Sequence, residues 1–498
     1  MAFQDMREFL EFLKNKNQLI EVDTELNAAR GTTELQPLMR HIHNINGPAL
    51  MLNNLSGYNH PDIPVLFNPY GTRERTSMIL GKERPLEGKL KFTEVLTNRS
   101  LWIKPNMIDR AEATCKQVII EKKDIDLSQQ LPHVWFGKEG PSYITNAVVI
   151  SKDPETGQLN TGCYRLTQLW NASHPLGEEY SEEEQKKCLS IFAFWNPPGN
   201  DIGRQWAKAQ EMNQPLELAI ACIVDPAVQV AAATSITFGE DEMDFAGGLR
   251  GEGVDVVQCE TVDLAVPATA EWVIEGKFLP GRDIAIGPHS NPVGYYDDVQ
   301  FLPLIEVDCI THRKDPIWYA TMEMEPPFDH NYMACMPLEG EVLSDLQTKI
   351  PEVLDVVVTP NLSYFVQLSV DGEQKPRADF GKEVLQAVWG ANGRWGPTAK
   401  LVVVVGPDVN PYDLSEIEWA IQTRVQPQTD TIINEAGQAF LMDPSAVKDP
   451  GHGIALVSEQ VGIDATIKIP ERFESYPKYS NAEPEDVIAI AEKLQGVL

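Results

Sequence analysis

The sequence predicts an α/β (α+β) protein built in three parts, and three observations carry that expectation. From Cys115 to about Ala320 the chain is a succession of short β-branched runs punctuated by Gly, Pro, Asn and Asp. The stretch before it mixes an amphipathic helix with short strands, and after residue 335 helix-like and strand-like segments alternate. At 498 residues and 43% hydrophobic content the chain is long enough to bury two or three cores.

Residues 4 to 17 place Met6, Phe9, Leu10 and Leu13 on one face at helical spacing, and Leu19 to Val22 reads as a strand. The polar stretch around Ile108 to Ala111 marks the end of a first domain, residues 1–112. A second domain, 113–325, holds Val118 to Ile120, Ala147 to Ile150, Val254 to Gln258 and Leu304 to Val307, whose spacing favours an antiparallel sheet or barrel. Its exception is an acidic helical insert from about Gly177 to Leu189. The third domain, 326–498, reads as helix (Glu341 to Lys349), strand (Val353 to Val358), strand (Tyr364 to Val370), helix (Lys382 to Trp389) and strand (Leu401 to Val405). A terminal helix, Pro484 to Leu498, carries Val487, Ile488, Ile490 and Leu494 on one side, which suits packing on its own domain or on another subunit.

A net charge of −32, from 73 acidic against 41 basic residues, opposes docking on nucleic acid or an anionic membrane. Any anionic ligand therefore needs a local basic site. Apolar runs such as Leu401 to Val405 fall far short of the roughly 20 residues a membrane helix needs. With no basic-then-apolar opening segment, the expected location is the cytoplasm. Seven scattered cysteines, never in Cys-x-x-Cys spacing, argue against a disulfide framework or zinc knuckle and for reduced, buried thiols.

Three stretches carry chemistry. Asn160-Thr161-Gly162-Cys163-Tyr164-Arg165 ends in a guanidinium whose planar fork grips a carboxylate or phosphate. Phe238 to Glu252 is an acidic cluster, with Glu240, Asp241, Glu242 and Asp244, leading into a Gly-rich segment; carboxylates beside an amide oxygen suit hard cations. The turn-rich run Ile286-Gly287-Pro288-His289-Ser290-Asn291-Pro292-Val293-Gly294-Tyr295-Tyr296 looks like a catalytic loop without its acids.

On these residues the chain resembles the UbiD-type decarboxylases, from the Arg7-Glu8-Phe9-Leu10 helix to Gly462-Ile463-Asp464-Ala465-Thr466. Asn160, Tyr164 and Arg165 match the family's Asn-x-x-x-Tyr-Arg run, in which Asn ligates a divalent metal and Arg lies over the flavin. Glu242, ahead of Phe245-Ala246-Gly247 and Leu249-Arg250-Gly251, matches its metal-ligating Glu, and Lys400 takes the place of the lysine that holds the flavin phosphate. The resemblance also puts Cys163, Thr234, Ser235 and Ile236 against the cofactor. It implies a split β-barrel flavin domain between an N-terminal α/β portion and a C-terminal α/β oligomerisation domain. The implied cofactors are prenylated FMN, a divalent metal (Mn²⁺, Fe²⁺ or Mg²⁺) and K⁺; the implied partners are a flavin prenyltransferase that supplies the flavin and further copies of the chain, from dimer to hexamer.

The sequence departs from the family in three places. Ile286 and Asn291 stand where the family's loop has acids, leaving Arg165 as the kept member of its Arg-acid-acid network. Where the family has a metal histidine, this chain offers Asn200 or Asp201, with His174 as another candidate. The third is the Trp170 to Cys188 insert. The implied reaction is reversible, non-oxidative decarboxylation of an aromatic acid through a covalent adduct with prenylated FMN, the cofactor taking the carbanion equivalent. Proton return then falls to His289, an ordered water or Asp297, with Arg165, His289 and Asn291 as the catalytic set. Ile286 in the pocket suits a large aromatic substrate, an aryl-CoA such as phthaloyl-CoA among them. Glu323, Asp329 and His330 are the remaining candidates for substrate contact. The competing expectation is a non-catalytic subunit that keeps the fold within a carboxylase complex.

Overall fold

The computed structural model describes residues 3–31, 33–139, 142–169, 181–192, 200–297, 299–392, 395–448, 455–469, 472, 474–477, 480, 482 and 484–494. The opening helix, Met6–Asn15, is capped by Asp5 and buries Met6, Phe9, Leu10 and Leu13, the face its spacing marks out. It leads into a four-stranded sheet in the order Leu19–Val22, Ala49–Leu52, Val65–Phe67, Trp318–Tyr319. The last of these strands is contributed from far along the chain, so the N-terminal part and the middle share one apolar core running from Phe3 to Met336.

The middle of the chain is a closed antiparallel barrel. Six strands follow one another in the order Cys188–Phe192, Leu159–Gln168, Ser142–Lys152, Leu216–Cys222, Trp272–Ile286 and Gln300–His312. The sheet closes where Cys188, Leu189 and Ser190 pair with Glu306, Ile305 and Leu304. This corrects the end of the acidic insert: among the described residues its helix is Glu182–Lys187, capped by Ser181, and Cys188 and Leu189 are strand because both side chains are buried at the seam. His174 and Trp170 fall outside the described residues. Three helices the sequence reading passed over, Asp201–Glu211, Pro226–Ala232 and Glu242–Arg250, pack beside the barrel. All seven side chains of Pro226–Ala232 are buried, so it has no polar face to betray its period.

The C-terminal part is a mixed sheet in the order Val353–Val358, Ser363–Leu368, Leu401–Val405, Ala455–Asp464, Thr431–Gln438. Val402 and Val404 face the core with Leu343 and Leu385, while Val403 and Val405 face Ile417 and Ala420. Leu401–Val405 is uniformly apolar because both its faces are covered. The helix expected to begin at Glu341 starts at Asp329 and runs to Lys349; its early turns are buried nearly all round, which hides the boundary. The helix expected from Lys382 starts at Phe380, and the strand expected over Tyr364 to Val370 runs Ser363–Leu368. Six of the seven cysteines are buried, Cys163 is partly so, and all are free thiols.

Candidate functional site

A cavity of about 750 Å³ opens between the barrel and the C-terminal part. One wall is the strand Leu159–Gln168, which brings Asn160, Cys163 and Arg165 to it. Thr234, Ser235 and Ile236, just after the Pro226–Ala232 helix, form another. Two helix N-termini converge there: Asp201 opens one helix behind its cap Asn200, and Glu242 opens the other behind its cap Asp241. Backbone N–H groups at such ends favour an anionic ligand. Trp395, Phe440, Leu441 and Met442 close the cavity from the C-terminal side with apolar surface.

At one end Asn160, Asp201 and Glu242 offer an amide oxygen and two carboxylates. Glu242 is buried and accepts from Thr161 N–H at 2.9 Å. Burial pushes its carboxyl up to about 8, and no Lys or Arg pairs with it among the described residues. Asp201 is partly engaged by Arg204 at 3.0 Å. A buried carboxylate lacking a cation, beside two further hard oxygen donors, fits Mn²⁺, Fe²⁺, Mg²⁺ or K⁺. No three His, Cys, Asp or Glu side chains form a ready ligand cluster among the described residues, so Asn160 is needed to complete the set.

At the other end Arg165 is buried between two carboxyls. Its Nη2 is ion-paired with Glu323 and its Nη1 donates to the Ser290 carbonyl. Burial would raise the Glu323 carboxyl, but Arg165 and His330 hold it down at about 2. Glu323 Oε1 lies 2.9 Å from His330 Nδ1. The second carboxyl is Glu139, fully enclosed, which accepts from Ser290 Oγ at 2.6 Å. Burial carries it up to about 7 against the pull of Arg165 and Ser290. The sequence reading missed Glu139: it is a lone acid in Gly137-Lys138-Glu139-Gly140-Pro141, and nothing local marks it. Two carboxyls held so far apart in proton affinity around one arginine are a common active-site device.

The Ile286 to Tyr296 run folds as a small hairpin in which His289 pairs with Asp297 and Ser290 with Tyr296. Asn291 organises its turn: Oδ1 accepts from Val293 N–H at 3.2 Å and Tyr295 N–H at 2.9 Å, and Nδ2 donates to Asp297 at 3.0 Å. His289 lines the cavity but is buried, not a loop histidine in solvent; its ring lies 4.6 Å from that of Phe192, and Nε2 sits 3.3 Å from Asp297 Oδ2. Glu323 and His330, candidates for substrate contact, line the cavity.

Three expected residues are not brought to it. Ile286 is buried with Leu169, Cys188, Ile284, Leu302 and Leu304 and lies outside the cavity lining. Asp329 is buried against Tyr319 Oη and Tyr70 N–H, where it holds the start of its helix. Lys400 lies outside the cavity lining, with Nζ 2.7 Å from Asp443 and 2.5 Å from Ser445.

Three domain models of the 3-octaprenyl-4-hydroxybenzoate carboxy-lyase match in succession: the N-terminal domain at residues 10–89, the Rift-related domain at 106–326 and the C-terminal domain at 331–465. An uncharacterized protein of Archaeoglobus fulgidus is 31% identical over 94% of this chain and 92% of its own length. The chain belongs to the UbiD family. A second relative, the uncharacterized protein sll0936 of Synechocystis, is 32% identical over 94% of this chain and 90% of its own. Among solved structures, the UbiD-class enzyme HmfF of Pelotomaculum thermopropionicum, in complex with FMN, superposes with a TM-score of 0.81 at 28% identity, covering 97% of this chain and 98% of that one. The vanillic acid decarboxylase of Sedimentibacter hydroxybenzoicus in open form superposes with a TM-score of 0.82 at 26% identity, covering 100% and 99%. The chain is thus a UbiD-class carboxy-lyase with the three-part architecture of that family.

Proposed function

We propose that this carboxy-lyase catalyses reversible, non-oxidative decarboxylation of an aromatic carboxylic acid, an aryl-CoA thioester among the candidates, with prenylated FMN and a divalent cation in the cavity. The observation that carries the reading is the joining, in one cavity, of the Asn160–Asp201–Glu242 oxygen set with the buried Arg165–Glu323 pair. When bound, prenylated FMN supplies the electron sink that lets the carbon–carbon bond break. Asn160, Asp201 and Glu242 would hold the cation, with K⁺ beside it, and Thr234, Ser235 and Ile236 the flavin. Arg165 orients the substrate carboxylate; its charge is kept by Glu323 and Glu139 in a site whose burial strengthens every electrostatic contact. Trp395, Phe440, Leu441 and Met442 suit a large apolar substrate and exclude water.

The same reading takes a flavin prenyltransferase as supplier of the cofactor and further copies of the chain as partners. Exposed Ile433, Val447, Val487 and Ile490 on the C-terminal part support self-association. No helix among the described residues is long and apolar enough to cross a membrane. Co-expression with a flavin prenyltransferase, anaerobic purification and analysis of the bound chromophore by absorbance and mass test the proposal. Prenylated flavin at near-stoichiometric content is expected; a chain purified without any flavin overturns it.

A further inference from the structure

Loss of CO₂ leaves an electron pair where the carboxylate was, and an acid must reach that carbon within about 2.6–3.2 Å, directly or through one water. Six ionisable groups stand near Arg165, and their geometry separates them; Tyr143 lies outside the cavity lining, its hydroxyl directed to the Pro288 carbonyl. Glu323 is engaged on both oxygens, one by Arg165 and one by His330, and acts as an anion that accepts hydrogen bonds. Glu139 lies behind Ser290 and does not line the cavity. Asp297 accepts from Asn291 Nδ2 on one oxygen, and its other oxygen lies 3.3 Å from His289 Nε2. His289 is only 3% exposed and packed on Phe192, and its Nε2 is buried without a hydrogen-bond partner among the described residues.

His330 is placed differently. It sits in the first turn of the Asp329–Lys349 helix, lines the cavity, and keeps 26% of its side chain exposed. Its Nδ1 is fixed at 2.9 Å from Glu323 Oε1, while Nε2 has no hydrogen-bond partner among the described residues. A carboxylate on one ring nitrogen sets the tautomer, stabilises the imidazolium and leaves the other nitrogen to transfer a proton. Resting on the decarboxylase reading above, we infer that His330 is the acid that protonates the substrate carbon, with Glu323 as its positioning residue.

In this step the bond between the ring carbon and the carboxylate carbon breaks and CO₂ leaves. The electron pair stays on the substrate side, a new C–H bond forms with the Nε2 proton, and the neutral imidazole regains a proton from water. No oxidant or reductant is consumed. Arg165, Glu323 and His330 then form one line, from the group that orients the departing carboxylate to the group that replaces it. The ionisable groups facing His330 are Glu323 from the preceding segment, Arg165 from the barrel strand and Asp329 beside it on the helix.

The test uses full-length chain co-expressed with a flavin prenyltransferase and assayed anaerobically in H₂O and D₂O against a panel of hydroxybenzoates, phthalate and their CoA thioesters. His330→Gln should keep wild-type flavin content and KM and lose about 10²- to 10⁴-fold in kcat. Added imidazole should restore part of the rate of His330→Ala, which a merely structural role would not allow. A His330→Gln enzyme within about threefold of wild type, or a His330→Ala enzyme that imidazole does not rescue, overturns the assignment while leaving the decarboxylase reading intact. A flavin-loaded wild type that releases no CO₂ across the panel overturns that reading and this one with it.

Discussion

Ser290 Oγ lies 2.6 Å from Glu139 Oε1, and the carbonyl of the same serine accepts from Arg165 Nη1. One short loop residue thus ties a buried acid to a buried base. The positions where the family's loop carries acids hold Ile286 and Asn291, yet the arginine still stands between two carboxyls, Glu323 and Glu139, supplied from other parts of the chain.

Glu139 gives a pH-dependent stability of known sign. Its carboxyl titrates near 7 in the folded protein, mainly through burial, and near 4.3 unfolded. Below about pH 4 it is neutral in both states; as pH rises through 7, ionisation favours the unfolded chain and stability is lost. Glu139→Gln removes that loss and keeps an oxygen for Ser290. The melting temperature of the variant relative to wild type should therefore climb between about pH 4 and pH 7.5. A difference that stays flat over this range, measured by scanning calorimetry, would contradict the assignment.

Arg165→Ala should abolish decarboxylation while flavin content is retained. It also leaves Glu323 buried without its counter-charge, a loss of about 3–5 kcal/mol at neutral pH. Turnover and denaturant unfolding on the same preparation check both effects, and full activity would refute the role given to Arg165.

Restoring the family's acids should not add a proton donor. Ile286→Glu places a carboxylate among Leu169, Ile284 and Leu302, in an apolar cluster, and should cost on the order of 3 kcal/mol. Asn291→Asp replaces the Nδ2 donor to Asp297 by a second carboxylate and loosens the hairpin. Neither change, nor the two together, should raise kcat; a gain in rate for the double variant would show that a carboxylate at Ile286 or at the cavity-lining Asn291 position can return the proton.

Legibility in the sequence followed the scale of each signal. The Met6–Asn15 helix was readable because its burial repeats with a helical period, and the Leu401–Val405 strand because a short β-branched run covered on both faces stays apolar throughout. Asn160 and Glu242 were recognisable as a pair from flanking motifs, and the fold does bring both to one cavity. Glu139 was invisible because its importance comes from Ser290 and Arg165, which only folding makes its neighbours. Ile286 misled for the converse reason: alternation along its strand turns its side chain into a small core, and a loop motif does not say which way a residue faces.

Metal binding has a readout independent of turnover. Mn²⁺ added to metal-free protein should raise its melting temperature, by the equivalent of about 2.7 kcal/mol at one hundred times the dissociation constant. Glu242→Ala removes the buried carboxylate of the three oxygen donors and should abolish the shift, while Asp201→Asn should weaken it. An unchanged Mn²⁺ response in Glu242→Ala would move the metal elsewhere.

The C-terminal wall of the cavity is held to the rest of the molecule by buried charge. Lys89 Nζ lies 2.5 Å from Asp355 and 3.2 Å from Glu339, Arg73 pairs with Glu339, and Arg73 Nη2 donates to the carbonyl of Val358, a cavity-lining residue. Lys89 and Asp355 are each only 1% exposed. Removing one partner of such a cluster leaves uncompensated buried charge, whereas removing several together can be nearly neutral. Lys89→Met should therefore destabilise the chain by about 3–5 kcal/mol and raise KM by loosening the wall at Val358. The double replacement Lys89→Met, Asp355→Asn leaves the Arg73–Glu339 pair intact and should recover much of that stability, and a double variant less stable than Lys89→Met alone would show that hydrogen bonding, not charge balance, dominates there.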